Sequence, residues 1–197
     1  MIYQVTTTTP SGTVVSLDDL KSHVAIDQSE TYYNSMITSM EAAAVAWIES
    51  RSRVLLRPVT ATIYVDEFPK SRDALYIPLW PVRSLTTLKY RNKDGTLVTL
   101  TPQQSLSTPP SSLYPAINEV WPETRQEDKQ AVEIICSVGY TTPPAMAVHA
   151  IKMLVAHWFR NRETVLVGTI SKELEKSVDA LLVQFRQNYW TPFGVYQ

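Results

Sequence analysis

The spacing of apolar residues changes period twice along this chain, and that constrains the fold more than any single motif. It is helical between about 16 and 57, alternates between about 58 and 140, and is helical again between about 144 and 188. Helices, then strands, then helices predict an α+β fold. The specific expectation is a single domain over 1–197, mainly an α-helical core of about four helices, with a central antiparallel β-strand insertion at about 58–140.

The first helical block opens at "SLDDL", where Ser16 can cap exposed amides and Asp19, three positions on, gives a box-like pattern. Leu17, Leu20 and Val24 share one face. "DQSE" breaks this helix, and Ser29 is the expected cap of the next. There Tyr33, Met36, Ile37, Met40, Ala44, Trp47 and Ile48 form an apolar stripe, with Pro58 at or just past its end. Arg51, Arg53 and Arg57 gather toward that end. They suit the negative pole of the helix dipole, or form a candidate basic surface for phosphate.

The strand signals are of several kinds. Ala61, Ile63 and Val65 alternate with polar residues or Tyr64, and Leu75, Ile77 and Leu79 do the same around Pro78, which suggests an edge or a bulge. "LTTLKYRNKDGTLVTL" reads as a hairpin around Lys93-Asp94-Gly95. "TPQQSLSTPPSSLYP" reads as a long loop, and "AVEIICSV" as a last strand with Val132, Ile134, Cys136 and Val138 on one face. The leading "TTTTPSGT" reads as extended or loose.

After "GYTTPP", Val148, Ile151, Leu154, Val155 and Trp158 make a helix face. Leu174, Val178, Leu181, Leu182 and Phe185 make another, which Ser171 can cap. Between them lies "ETVLVGTI". A connection between helices is normally polar because it lies on the surface. Val165, Leu166, Val167 and Ile170 therefore need cover from the protein's own core or from another chain. The tail adds Tyr189, Trp190, Phe193 and Tyr196, residue types enriched at interface anchors. These eight residues are the candidate interface.

Signals for chemistry are weak. His149 and His157 are eight positions apart, about 12 Å along a helix axis, too far for a shared metal. The sequence has no His-Glu-x-x-His pattern and no Gly-x-Ser-x-Gly elbow. Five scattered glycines form no phosphate-cradling loop. Asp18/Asp19 and Asp66/Glu67 are adjacent carboxylates, whose side chains diverge. No catalytic residue, metal or cofactor is expected, and an enzyme is disfavoured. "HWFRNR" and "LKYRNK" interleave aromatic and basic residues as single-strand binders do. Trp158 nevertheless fits a helix core face, and a surface place suits Tyr90. Cys136, the one cysteine, excludes an internal disulfide and reads as a small buried hydrophobe.

Eighteen basic residues stand against nineteen acidic ones, so no global field recruits nucleic acid or acidic lipid. "MIYQVTTTTPSG" lacks the basic flank and apolar run of a signal peptide, and no apolar run is long enough for a bilayer. Assembly in a cytoplasm, without a membrane partner, is the expectation.

Three blocks resemble the head–tail connector, or adaptor, proteins of tailed bacteriophages. "VSLDDLKSHVAIDQSETYYNSMITSMEAAAVAWIESRSRVLLRP" is similar to that family's opening helix pair, with its Leu-x-x-x-Lys-x-His start and acidic turn. "LYIPLWPVRSLTTLKYRNKDGTLVTL" is similar to its strand, proline-flanked turn and hairpin. "PPAMAVHAIKMLVAHWFRNRETVLVGTISKELEKSVDALLVQFR" is similar to its closing helix, apolar loop and helix. Where relatives carry a Thr-Gly-Arg-like end to the second helix this chain has "SRSRVLL", so no role is carried over to that corner.

The resemblance implies a ring under the portal of a capsid, of twelve copies in the virion neck, assembled in the host cytoplasm. Such a ring extends the DNA channel and docks tail or stopper proteins. Its contacts are heterologous, one face of each subunit against a different face of the next. A net charge of −1 suits a channel in which DNA slides without being gripped. The alternatives are another neck or tail-completion protein, and a DNA-processing enzyme using the arginines and scattered carboxylates.

Overall fold

The structure, a computed structural model, describes residues 3–10, 12–125, 127–161 and 172–185. The chain divides into two compact units. One, helical, takes in described residues of 12–57 and 141–185; the other, β-rich, takes in those of 3–10 and 58–140.

In the helical unit, α1 (Leu17–His23) starts as expected, with Ser16 Oγ accepting from the Asp19 amide at 3.1 Å. Lys21 is buried at its base, and its ammonium donates to the carbonyls of Gln28 (3.0 Å) and Glu30 (2.7 Å), which ties down the turn that follows. The second helix, α2 (Asn34–Ser52), begins five residues after Ser29. Ser29 instead bonds Asp27 through its amide (2.8 Å) and hydroxyl (2.5 Å), a local turn that competes with helix. At the other end Arg53 takes a left-handed conformation (φ 57°), so α2 stops before Pro58 is reached.

The buried face of α2 includes Ile37, Met40, Ala44, Val45 and Ile48, but also Glu41, only 2% exposed. Its carboxylate accepts from the amides of Val14 (2.8 Å) and Val15 (3.4 Å), fixing the chain ahead of α1. A buried carboxylate needs such partners, and here backbone donors supply them. Helix α3 (Ala145–Arg160) buries Ala147, Ala150, Ile151, Leu154, Val155 and Trp158, and α4 (Lys172–Leu182) buries Val178 and Leu182. Within this unit α2 packs on α3, α3 on α4, and α1 on both α2 and α3.

The β-rich unit is larger than a central insertion, because the N-terminal segment belongs to it. Thr6 and Thr7, the start of the stretch read as extended or loose, join Tyr3–Val5 in β1 (Tyr3–Thr7), paired antiparallel with β2 (Val59–Val65). The remaining strands are β3 (Leu75–Tyr76), β4 (Val82–Arg91), β5 (Leu97–Leu100), β6 (Gln103–Ser105), β7 (Ser112–Tyr114) and β8 (Val132–Val138). Five of them make an antiparallel sheet in the order β1-β2-β8-β4-β5, and three make a second, β3-β7-β6. The proline- and serine-rich segment thus carries two short strands, where a loop was expected. Leu113 is fully buried between flanking residues whose spacing shows no period.

The central strands follow their sequence pattern. Ala61, Ile63 and Val65 of β2 face the same side as Val132, Ile134, Cys136 and Val138 of β8, and all are buried. Tyr90 of β4 is buried too, edge-on to Phe68 with ring centroids 5.6 Å apart, which corrects the surface placement. It alternates in phase with Leu88, so β-strand periodicity outweighs its charged neighbours. The β4–β5 turn is organised by Asn92, whose side-chain oxygen accepts from the amides of Asp94 (3.1 Å) and Thr96 (2.8 Å). Gly95 completes it with φ 81°.

Candidate interaction surface

The helix ends that carry the candidate basic surface place its three arginines in different settings. Arg51 is half-buried and committed to acidic partners on α4. It donates to both oxygens of Asp179 (2.5 and 2.6 Å), bridges to Glu175 at 2.8 Å, and lies 5.1 Å from the Trp47 ring centroid. These carboxylates, Asp179 first, raise the guanidinium's pKa further. Arg53 is exposed at the left-handed cap. Arg57 is half-buried and donates to the Gly12 carbonyl at 3.0 Å. Among the described residues, Arg53 is the one of the three whose side chain is exposed. Arg51 clamps α4 to α2, a task its position in the sequence gave no sign of.

A second group of cations lies on α1 and α3. The imidazole of His23 is held below its ordinary pKa, first by desolvation and then by its basic neighbours Lys152, His149 and Arg160. His157 lies apart from this group in its bonding, with its Nδ1 3.4 Å from the Asn161 side chain. Among the described residues no group of His, Cys, Asp and Glu could hold a metal ion. The Cys136 thiol is buried and pushed up to about 11, the setting of a packed side chain rather than a nucleophile. Glu49 is held above the usual carboxylate range by burial, although it accepts from the Leu56 amide at 2.8 Å.

In the β-rich unit two grooves open on the surface. One is lined by Gln4, Tyr64, Asp66, Arg91, Asp128 and Glu133, the other by Glu67, Lys70, Lys93, Glu123, Arg125 and Glu127 among others. Both mix charges of opposite sign along open walls. Neither brings a nucleophile, a base and an oxyanion donor into the mutual reach that acyl-transfer catalysis needs.

The exposed apolar residues are more informative. Ile117 is 76% exposed and Val120 60% exposed, three residues apart on a loop with a firm base. That base is Trp121, which stacks on Phe68 at 4.7 Å and donates from its indole N–H to the Asp73 carbonyl at 2.8 Å. Arg72 fastens the same loop through the Glu119 carbonyl at 2.9 Å. Sequence reasoning missed this pair. The signal was an apolar pair in a proline-bounded, aperiodic stretch, "PAINEVWP", the same kind that marked "ETVLVGTI".

The sequence-derived interface itself, Val165, Leu166, Val167, Ile170, Tyr189, Trp190, Phe193 and Tyr196, lies outside the described residues, as does Ser171. What the structure supplies is the pair of helices on either side of its first part, α3 ending at Arg160 and α4 beginning at Lys172. No helix among the described residues is long and apolar enough to cross a membrane.

No known protein family matches this chain, and no curated protein does. Solved structures do. The fold is similar to a chain in the neck of an empty GTA particle computed with C6 symmetry, with a TM-score of 0.69 and 18% identity, covering 96% of this chain and 97% of that one. A chain in the virion of a native gene transfer agent (GTA) particle matches with a TM-score of 0.66 and 19% identity, at the same coverage. A chain in the neck of a native GTA particle computed with C12 symmetry gives 0.61 and 18%, again covering 96% and 97%. At these identities the likeness is one of fold, and it runs nearly the full length of both chains.

Proposed function

We propose that this chain is a structural head–tail connector, an oligomeric neck protein and not an enzyme, with residues 1–197 acting as one subunit. Twelve copies form a ring under the portal, extend the DNA channel and dock tail or stopper proteins, in a virion neck put together in the host cytoplasm. DNA passes through without sequence-specific binding, and no cofactor takes part.

The observation that carries this reading is the end-to-end match of fold to a chain in particle necks, where the reported symmetries are C6 and C12. Cyclic symmetry of that kind goes with heterologous contacts that close. The near-neutral charge and the exposed apolar residues on an anchored loop support a protein whose work is contact.

The docking segment is "ETVLVGTI" together with the aromatic tail, which bury apolar area against neighbours or portal at roughly 25 cal/mol per Å² before association costs. The Leu166→Asp/Val167→Asp variant tests this in a pull-down with portal protein. The expected result is a folded chain, with its helical signal intact, that no longer assembles or binds portal. Unfolding would assign those residues to the chain's own core, and undiminished binding would remove them from the interface.

A further inference from the structure

The two outer strands of the five-stranded sheet share a property that most edges avoid. Exposed edges are normally blunted by lysine, proline, a bulge or a cover, because their free backbone groups template pairing with another chain. The outer strands here, β1 with "YQVTT" and β5 with "LVTL", contain neither charge nor proline. The edges of the smaller sheet differ, since β3 is two residues long and runs out toward Pro78, while β6 follows directly on Pro102.

Hydrogen-bond alternation fixes which groups are free. The Thr8 amide bonds the Thr60 carbonyl, so Thr6 and Gln4 face β2 while the amides of Val5 and Thr7 point away from the sheet. At the other edge the Asn92 amide bonds the Thr96 carbonyl. Val98 and Leu100 therefore face β4, and the amides of Leu97 and Thr99 point outward.

The buried face of the sheet also stops unfinished at both edges. Val5 lies opposite Ile63, Val98 opposite Tyr90 and Leu100 opposite Leu88. The inner three residues are buried and the outer three only half-buried. Among the described residues, each edge thus offers donors and acceptors without a partner, beside apolar side chains that one more strand would cover.

We propose that neighbouring copies of this chain join at these edges, β5 of one beside β1 of the next, so that the sheet continues from subunit to subunit. The inference rests on the ring reading above and names the contact that makes it. Four successive antiparallel steps leave β1 and β5 pointing the same way. A cyclic axis that sets sheets side by side preserves that direction, so the joint is parallel. It is also heterologous, two different edges meeting, as ring closure requires.

Cross-linking of the full-length protein tests this. Thr6 and Thr99 are exposed and lie on the same face of the sheet, each opposite a residue of the outward-facing set, Thr62 and Lys89. Cys136 is buried and stays out of the reaction. The Thr6→Cys/Thr99→Cys variant, treated with a short bismaleimide, gives a ladder of covalent oligomers. Each single variant gives none, and a mixture of the two singles gives a covalent dimer. Thr99→Pro removes an outward donor without touching the bonds to β4, and it weakens association by about tenfold per joint while leaving the fold intact. Rings that form in the wild type but refuse the cross-link and ignore Thr99→Pro overturn the edge joint and leave the connector reading standing. Self-cross-linking of either single variant overturns it in favour of like-to-like pairing. A wild-type chain that stays monomeric at every concentration overturns edge pairing as a driving contact, while binding of that monomer to portal keeps the connector reading.

Discussion

The helical unit and the β-rich unit treat their polar groups in opposite ways. In the helical unit charged side chains are committed within the unit, to backbone groups or to one another. Glu41 holds the amides of Val14 and Val15, Lys21 holds the carbonyls of Gln28 and Glu30, and Arg51 locks α4 through Asp179. In the β-rich unit the backbone of the central strands is paired on both sides, while among the described residues the two uncharged outer strands are paired on one side only, and Ile117 and Val120 are exposed. The helical unit exposes apolar residues of its own, Tyr32 at 82% and Val183 at 63%, so the difference lies in the backbone: helices close their own hydrogen bonds, and the outer strands of a sheet do not.

The contrast breaks first at Glu41. Glu41→Ala removes the acceptor of two amides and should cost about 3 kcal/mol in urea unfolding followed by helical circular dichroism. A cost below about 0.5 kcal/mol, the level of an ordinary surface change, would end the idea that this carboxylate fixes the chain ahead of α1.

Glu49 sharpens the same point through pH. Its pKa is raised by burial above the ordinary value of 4.5, so the folded state holds the proton more tightly than the unfolded state does. Its contribution is then full below the unfolded pKa and is lost as pH rises through the folded one. Glu49→Gln should flatten the fall in stability from about pH 4.5 upward, and an unchanged slope would locate that fall elsewhere.

The smallest effect separates the arginines. Arg51→Ala should cost about 1 kcal/mol, since its carboxylate partners are partly exposed, whereas Arg53→Ala should stay within about 0.5 kcal/mol. Equal costs, measured in parallel melts, would remove the distinction between a clamp and a solvated charge.

Much of the fold was legible in the sequence because burial leaves a period. β8 reads directly from Val132, Ile134, Cys136 and Val138, and α3 from Ile151, Leu154, Val155 and Trp158, since each element buries one face completely. β6 and β7 span three residues each and are too short to express alternation, so a proline-rich stretch hid them. β1 was hidden differently. Uncharged threonines from Thr6 on read as an extended or loose leader, and pairing with β2 makes Thr6 and Thr7 the end of a strand that starts at Tyr3.

Glu41 lies four residues from both Ile37 and Val45, in the middle of the apolar stripe, and that position was the available sign of a buried carboxylate. As for the candidate site, Leu166 and Val167 stood out because apolar residues in a connection violate expectation. Ile117 and Val120 carry the same violation but were masked by the loop around them. The sheet edges could not be read at all before strand order was known, since an edge is a property of topology rather than of sequence.

Electron microscopy of the purified chain mixed with portal protein tests the central claim most directly. The account predicts a closed ring of this chain seated on the portal, with cyclic symmetry in end-on views and a continuous central channel. Portal that stays bare at saturating concentrations of the folded chain would contradict it.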